Sequence, residues 1–296
     1  MTTAADRDEP ACRADISVII LTRDEEANLP FALKSLRGLG ARIFIVDSGS
    51  CDRTREIASE NGCEVFEHTF ETHARQLNWA LDNLPIQSQW VMRLDADERL
   101  TEELKSELQR RLAAFPDEVT GLMVKRRVYF WGRWIRHGGY YPTWLLRIWR
   151  RGVARSEDRA MDEHRVIQSG RIGKLDSDII DENRKGLAFF IEKHNRFSDN
   201  EVASIIGGQN LLNSAGAGAP TARKRLAKNR LYGRAPRFLR AVLYWFFRYF
   251  ILVGFLDGLA GFVFHFLQGF WYRLLIDAKL HERERFIAPQ DARGSR

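Results

Sequence analysis

Short apolar runs alternate with helical repeats through the first hundred residues, and this alternation limits the fold more than anything else in the chain. Residues 16–21 are β-branched and almost wholly apolar, as suits a strand buried on both faces. Between Glu25 and Leu39, the leucines Leu29, Leu33, Leu36 and Leu39 recur at helical spacing, and Gly38 and Gly40 end the run. Residues 42–46 read as a second buried strand, 47–50 as a turn, and 52–61 as a helix that stops at Gly62. Residues 63–66 form a third strand, 73–84 a helix, and the apolar run ending at Leu94 a fourth strand. Strands separated by helices predict an α/β fold with a mainly parallel sheet and right-handed crossovers. Ligands in such sheets sit beyond the carboxyl ends of the strands, so Asp47 and Asp95 are predicted to share one crevice.

Asp95, Ala96 and Asp97 end the fourth strand. In an extended chain, residues two apart point the same way, so the two carboxylates are expected to face one point. Hard oxygen ligands of this kind suit Mg²⁺ or Mn²⁺, which keeps its remaining positions for water and phosphate oxygens. Acidic pairs also cap helices and sit solvated in turns, so the triplet alone does not decide the matter.

Four stretches together resemble the family 2 glycosyltransferases. They are 18–26 (Val-Ile-Ile-Leu-Thr-Arg-Asp-Glu-Glu), 45–54 (Ile-Val-Asp-Ser-Gly-Ser-Cys-Asp-Arg-Thr), 74–80 (Ala-Arg-Gln-Leu-Asn-Trp-Ala) and 94–98 (Leu-Asp-Ala-Asp-Glu). They come in the family's order, with Asp24 where Asn is usual and Cys51 where Thr is usual. The resemblance implies the GT-A fold, a Rossmann-like sheet that binds a nucleotide sugar. It implies that Thr22 and Glu25 line the nucleotide pocket, with Glu25 near the ribose. Asp47 would accept a hydrogen bond from the base, Asp52 would shape that loop, and Arg75 would lie near the base or diphosphate. Asp95 would hold the ribose or assist the metal, and Asp97 would ligate it. The physics agrees: a nucleotide diphosphate gains negative charge as it leaves, and a divalent cation stabilises that charge where it develops. Glu25 and Asp52 also have a plainer reading, as carboxylates favoured at helix N-termini.

The middle of the chain is expected to serve the acceptor. Residues 136–142 (Arg-His-Gly-Gly-Tyr-Tyr-Pro) read as a shaped turn, followed by an arginine- and aromatic-rich stretch at 145–152 and an acidic one at 158–164. Similar lipopolysaccharide core glycosyltransferases carry a Gly-Gly/aromatic turn, an Arg-aromatic-Arg stretch and a short acidic-His motif here. The acidic residue of that motif is the family's expected general base. Inverting transfer needs a carboxylate to take the acceptor hydroxyl proton while that oxygen attacks opposite the leaving diphosphate. Glu163 is the first candidate and Asp162 the second, because the family order is His then Glu, whereas here Glu163 precedes His164. The alternative is a solvated loop in which Asp158, Asp162 and Glu163 pair with Arg155, Arg159 and Arg165. His137, Arg147, His164, His194 and Arg196 complete the acceptor or lid candidates.

The last third differs in composition. Residues 214–220 are a small-residue break, followed by Arg223, Lys224, Arg225 and further basic residues and then by the richest aromatic stretch in the chain. The longest charge-free run beyond the break, 258–272, is shorter than the roughly 20 residues that cross a bilayer, and Asp257 interrupts the apolar region. Basic residues beside aromatic-rich helices predict a region lying on an anionic membrane, with Arg234, Arg237, Arg240 and Arg248 within reach of one helical face. A buried hairpin, or a homo-oligomer made through the C-terminal helices, is the alternative. Residues 254–262 (Gly-Phe-Leu-Asp-Gly-Leu-Ala-Gly-Phe) and Ala278-Lys279 are similar to lipopolysaccharide core β-1,4-glucosyltransferases.

These readings divide the chain into a disordered N-terminus (1–14), a GT-A catalytic domain (15–213) and a helical membrane-associating region (214–296). The catalytic domain splits into a nucleotide-sugar half (15–100) and an acceptor half (101–213). Three cysteines are too few for a disulfide framework, and the polar start has no signal-peptide core. The expected location is the cytoplasmic face of the bacterial inner membrane, peripheral or monotopic. The expected activity is inverting transfer from a nucleotide diphosphate sugar, UDP by family frequency, to a lipid-linked or lipopolysaccharide acceptor in cell-envelope synthesis. The net charge of +7 raises nucleic-acid binding as another class. The basic residues, however, mass beside tail aromatics, with no nucleic-acid motif and no Gly-rich phosphate loop, so no nucleic-acid partner is expected. A non-catalytic scaffold that kept the fold is the remaining alternative, and the presence of Asp47, Asp95 and Asp97 opposes it.

Overall fold

The computed structural model describes residues 14–156, 165–206 and 236–287. β1 (Ile16–Thr22), β2 (Arg42–Asp47), β3 (Glu64–Glu67) and β4 (Trp90–Arg93) pair in parallel around β1 and β2. Val18, Ile19 and Ile20 are wholly buried because helices cover both faces of this half. α1 (Leu29–Leu36), α2 (Thr54–Glu60) and α3 (His73–Asn83) are the crossovers. α1 starts later than the leucine spacing predicts. Residues 25–28 form a turn instead, in which the Asn28 amide donates to the Glu25 carbonyl at 3.0 Å. Pro30 then occupies the first helical turn, where a missing N–H costs nothing. Thr72 caps α3 by accepting from the Arg75 amide at 3.1 Å.

The second half contains β5 (Glu98–Leu100), α4 (Glu102–Arg111), β6 (Val119–Phe130), β7 (Arg133–Trp134), β8 (Thr143–Arg150), β9 (Ala154–Ser156), β10 (Arg165–Ile167) and β11 (Arg171–Asp181). Among the described residues the main sheet has the order β3-β2-β1-β4-β8-β6-β11-β5, with β7 paired to β6. β8 is antiparallel to both β4 and β6, and β11 is parallel to β6. Strands β1, β2, β4, β6 and β11 therefore run the same way, and the loops after them share one edge. One core, with Leu29, Leu33, Leu104 and Leu108, fills one face of the sheet, and a second, with Phe44, Leu77 and Trp149, fills the other.

α5 (Gly186–Ile206), α6 (Leu239–Phe246), α7 (Gly258–Phe264) and α8 (Tyr272–Glu282) form the helical part. Residues Gly254–Phe286 are helical over 33 residues with a mean hydropathy of 1.3 in the most apolar window. By length and composition this is enough to cross a membrane, whereas the charge-free run alone predicted a segment too short. The helix extends past Arg273 and Asp277, which are paired with Glu201 and Arg240. α8 lies along α5: Tyr272, Ile276 and Leu280 pack on Val202, and the Tyr272 hydroxyl donates to Glu201 at 2.7 Å.

The arginines expected to face anionic lipid are mostly used inside the fold. Arg237 pairs with Glu284 at 2.5 Å, Arg240 pairs with the buried Asp277, and Arg248 donates to the Gly138 carbonyl at 2.7 Å. Helical spacing aligned these arginines, but a neighbouring helix and a loop supplied their partners. Arg234 and residues 207–233 lie outside the described residues. The outward side chains are apolar instead, including Leu243, Phe247, Ile251, Leu256 and Leu259, the last 74% exposed. At the other end Ala14 is buried, and its amide donates to the Leu39 carbonyl at 3.2 Å.

Candidate functional site

The parallel register sets Thr22 beside Asp47 at the ends of β1 and β2. The Thr22 hydroxyl donates to Asp47 Oδ1 at 3.0 Å, and the Gly49 and Ser50 amides donate to Oδ2 at 3.1 and 2.9 Å. The Ser50 hydroxyl adds a fourth bond. Asp47, expected to receive the base, is thus fully buried and holds its own turn together. This is the behaviour of an Asp that satisfies nearby backbone donors at the end of a strand. Asp52 binds the Thr54 amide at 2.9 Å and the Glu26 amide at 3.0 Å, joining the first two loops. Burial raises its carboxyl, but the Thr54 hydroxyl and these two amides outweigh burial and hold it below the ordinary value. Arg75 lies on the first turn of α3, exposed and paired with Glu71.

Asp95 and Asp97 lie in the turn between β4 and β5 and not in the strand itself, so alternation along a strand does not govern their directions. Asp95 accepts from Arg93 at 2.9 Å and from Arg147 at 2.7 Å. Arg147 also pairs with the buried Glu98. Arg147, an acceptor or lid candidate in the sequence, is a buried brace beneath the turn. Burial pushes the Glu98 carboxyl up to about 7, against the pull of Arg147, and Asp95 and Asp181 push the same way. Arg147→Met takes the guanidinium away from the buried Glu98 and removes one of the two that hold Asp95. It is expected to cost about 3–5 kcal/mol, lowering Tm by about 6–20 °C in a thermal melt. A variant melting within a degree of wild type would show that the brace contributes nothing.

Asp97 points to a different neighbourhood. The Asn183 side chain donates to Asp97 Oδ2 at 3.1 Å, and Lys193 Nζ lies 3.8 Å from the same oxygen. Lys185 Nζ binds Glu25 Oε1 at 2.6 Å, and Asn28 donates to Glu25 Oε2 at 2.8 Å. Burial raises the Glu25 carboxyl, with Lys185 and Asn28 opposing. Asp181, at the end of β11, is raised by desolvation first and then by Asp97. Burial works against the charge on Lys193, yet Asp97 and Asp181 raise its pKa. The crevice thus gathers Glu25, Asp95, Asp97 and Asp181 around Lys185, just before α5, and Lys193 within it. Asn183, Lys185 and Lys193 escaped the sequence reading. The available signal was a polar run, 181–185, directly after the strand that ends β11, at the edge where ligands collect.

The remaining candidates scatter. His137 binds Asp257 of the tail at 2.6 Å. His194 is packed between α5 and α8, stacked on Phe190 at 4.0 Å and edge-on to Tyr272 at 5.5 Å. Arg196 is exposed, 4.0 Å from Glu192. Neither His194 nor Arg196 has a polar contact to the acidic crevice among the described residues. Asp162, Glu163 and His164 lie outside the described residues. Among the described residues, no cluster of three or more His, Cys, Asp or Glu side chains forms a closed metal cage.

The sequence profile described as Glycosyl transferase family 2 matches residues 17–177. The chain belongs to glycosyl transferase family 2. Membership and the sheet order make this a GT-A fold, and the chain a glycosyltransferase. Among curated relatives of this glycosyltransferase, the lipopolysaccharide core biosynthesis glycosyltransferase LpsC of Rhizobium meliloti is 32% identical over 168 residues. That match covers 53% of this chain and 59% of LpsC. An uncharacterized glycosyltransferase of Rickettsia typhi is 32% identical over 94 residues, 32% of each chain. The matched part therefore spans from a third to somewhat over half of these relatives. Among solved structures, S. aureus TarS 1–349 in complex with UDP-GlcNAc is 16% identical, with a TM-score of 0.45 covering 90% of this chain and 91% of that one.

Proposed function

We propose that this glycosyltransferase transfers a sugar, with inversion, from a nucleotide diphosphate donor to a lipid-linked or lipopolysaccharide acceptor at a membrane surface. The observation that carries the reading is the crevice at the carboxyl ends of β1, β2, β4 and β11, where carboxylates and two lysines converge. A diphosphate brings negative charge, which Lys185 and Lys193 would meet directly. Mg²⁺ or Mn²⁺ is commonly held by one or two carboxylates plus substrate phosphates, without a closed protein cage. Asp97 fits that donor set, since its carboxylate accepts a single hydrogen bond among the described contacts, from Asn183. Asp95 fits less well as a direct ligand because two guanidinium groups occupy it, and its role would be to orient the turn. The bound cation would stabilise charge developing on the leaving diphosphate. Glu25 would position the ribose, and Glu163 or Asp162 would take the acceptor proton. The lipopolysaccharide acceptor is supported by the likeness to LpsC. UDP remains the nucleotide favoured by family frequency. A screen of nucleotide sugars for thermal stabilisation, with and without Mn²⁺, tests the donor reading. A chain that no nucleotide sugar stabilises would sink it.

The membrane reading rests on the exposed apolar side chains of residues 238–266, since contiguous exposed apolar side chains mark interaction surfaces. α8 lies along α5, which supports a segment resting on the bilayer over one that spans it. Arg237, Arg240 and Arg248 are used internally, so apolar insertion should dominate binding. Salt at about 1 M, where the Debye length is about 3 Å, is expected to leave most of the protein on anionic vesicles, while detergent releases all of it. Flotation with vesicles checks this. A protein that stays in solution without detergent and ignores vesicles would favour a homo-oligomer through the same helices.

A further inference from the structure

The loop between β7 and β8 sits on the same sheet edge as Asp97, and its backbone is bonded mainly to the tail. The His137 amide donates to Asp257 Oδ2 at 3.0 Å, and His137 Nδ1 meets Asp257 Oδ1 at 2.6 Å. The Gly138 amide donates to the Leu252 carbonyl at 2.9 Å, and Arg248 Nε donates to the Gly138 carbonyl at 2.7 Å. The Arg248 guanidinium stacks over Tyr140, 3.8 Å from the ring centroid. A Cβ on Gly138, whose φ is +68°, would lie 2.0 Å from His265 Cε1, so the loop fits the tail without spare room. Asp257 and His265 are both buried, with His265 Nε2 3.7 Å from Asp257 Oδ2, outside hydrogen-bond reach.

The tail turn that makes these contacts is itself constrained. Val253 holds φ +52°, unusual for a β-branched residue, and a Cβ on Gly261 would lie 2.3 Å from that of Asp257. The segment 254–262 singled out in the sequence thus shapes the seat for Asp257. The far end of the loop reaches the sheet: the Tyr141 hydroxyl donates to Asp178 at 3.2 Å, and Asp178 lies on β11, which ends at Asp181 in the crevice. On its outer side the same turn exposes Phe247, Ile251 and Leu256.

We propose that Asp257 and Arg248 of the tail are positioning residues that hold the loop 137–140 as part of the acceptor-binding surface. This rests on the glycosyltransferase reading above, with the acceptor arriving at the side where the tail meets the bilayer. A buried carboxylate that binds both a backbone amide and a ring N–H fixes the loop more tightly than either bond alone.

The test uses the full chain in detergent micelles, as wild type, Asp257→Asn and Arg248→Lys. Arg248→Lys keeps the charge but loses the planar fork, so it serves if Asp257→Asn folds poorly. Amide hydrogen exchange at residues 137–140 is expected to rise about tenfold in each variant, with β1 to β4 unchanged. With UDP-glucose as donor and inner-core-truncated lipopolysaccharide as acceptor, the acceptor KM is expected to rise about tenfold while donor KM stays within about twofold. Loop exchange unchanged in both variants overturns the proposal, as does an equal shift of donor and acceptor KM. Wild type inert toward every nucleotide sugar would overturn the function reading instead, and the exchange measurement would still decide the coupling.

Discussion

Asp97→Ala is expected to lower sugar transfer by about a thousandfold, the scale lost when a group that stabilises developing charge is removed. The carboxylate is partly exposed and accepts only from Asn183 among the described contacts, so its loss should spare the fold. The metal-dependent part of donor affinity should vanish with it, since Asp97 is the carboxylate of the pair not held by arginines. Titrating Mn²⁺ against turnover and donor affinity measures both effects. Wild-type turnover at limiting Mn²⁺ would show that Asp97 does not serve the metal.

Glu163→Gln is expected to leave donor binding intact and to slow turnover by about a hundredfold or more, the usual scale for a lost general base. Asp162→Asn is the paired measurement, because the order Glu163-His164 reverses the family's His-then-Glu and Asp162 is the second candidate. Both lie in the segment between β9 and β10, whose ends are tied together where Ser156 pairs with Arg165. Asn78 of α3 further fixes Ser156 through bonds of 2.8 and 3.0 Å to its carbonyl and amide. A full-rate Glu163 variant beside an inactive Asp162 variant would move the base by one. Full rates in both would place the proton acceptor elsewhere.

Much of the donor half was legible because its information is local. The strand ending at Thr22 and the turn at Asp47 follow from runs of β-branched residues bounded by turn formers. The parallel register then brings Thr22 and Asp47 together without further instruction. The same local reading misjudged only the directions of Asp95 and Asp97, because strand alternation was extended past Arg93 into a turn. It also missed the partners that Arg147 and the tail arginines find inside the fold. An arginine looks alike in sequence whether it meets solvent, lipid or a buried carboxylate, and only its partner decides.

The order of strands and helices through the first hundred residues, the shared edge of their carboxyl ends and the membership in a nucleotide-sugar family were therefore written in the sequence. Periodicity encodes each element, and the handedness of crossovers leaves few ways to join them. The tertiary structure decided which charges meet. Lys185 reaches Glu25 across 160 residues, and Asp257 reaches His137 across 120. Such contacts leave no trace in local spacing, since they depend on how β11 and the tail helices return over the sheet. They set the electrostatics of the crevice and the seat of the loop beside it, because burial and partnering, not residue type, determine what a charged side chain does.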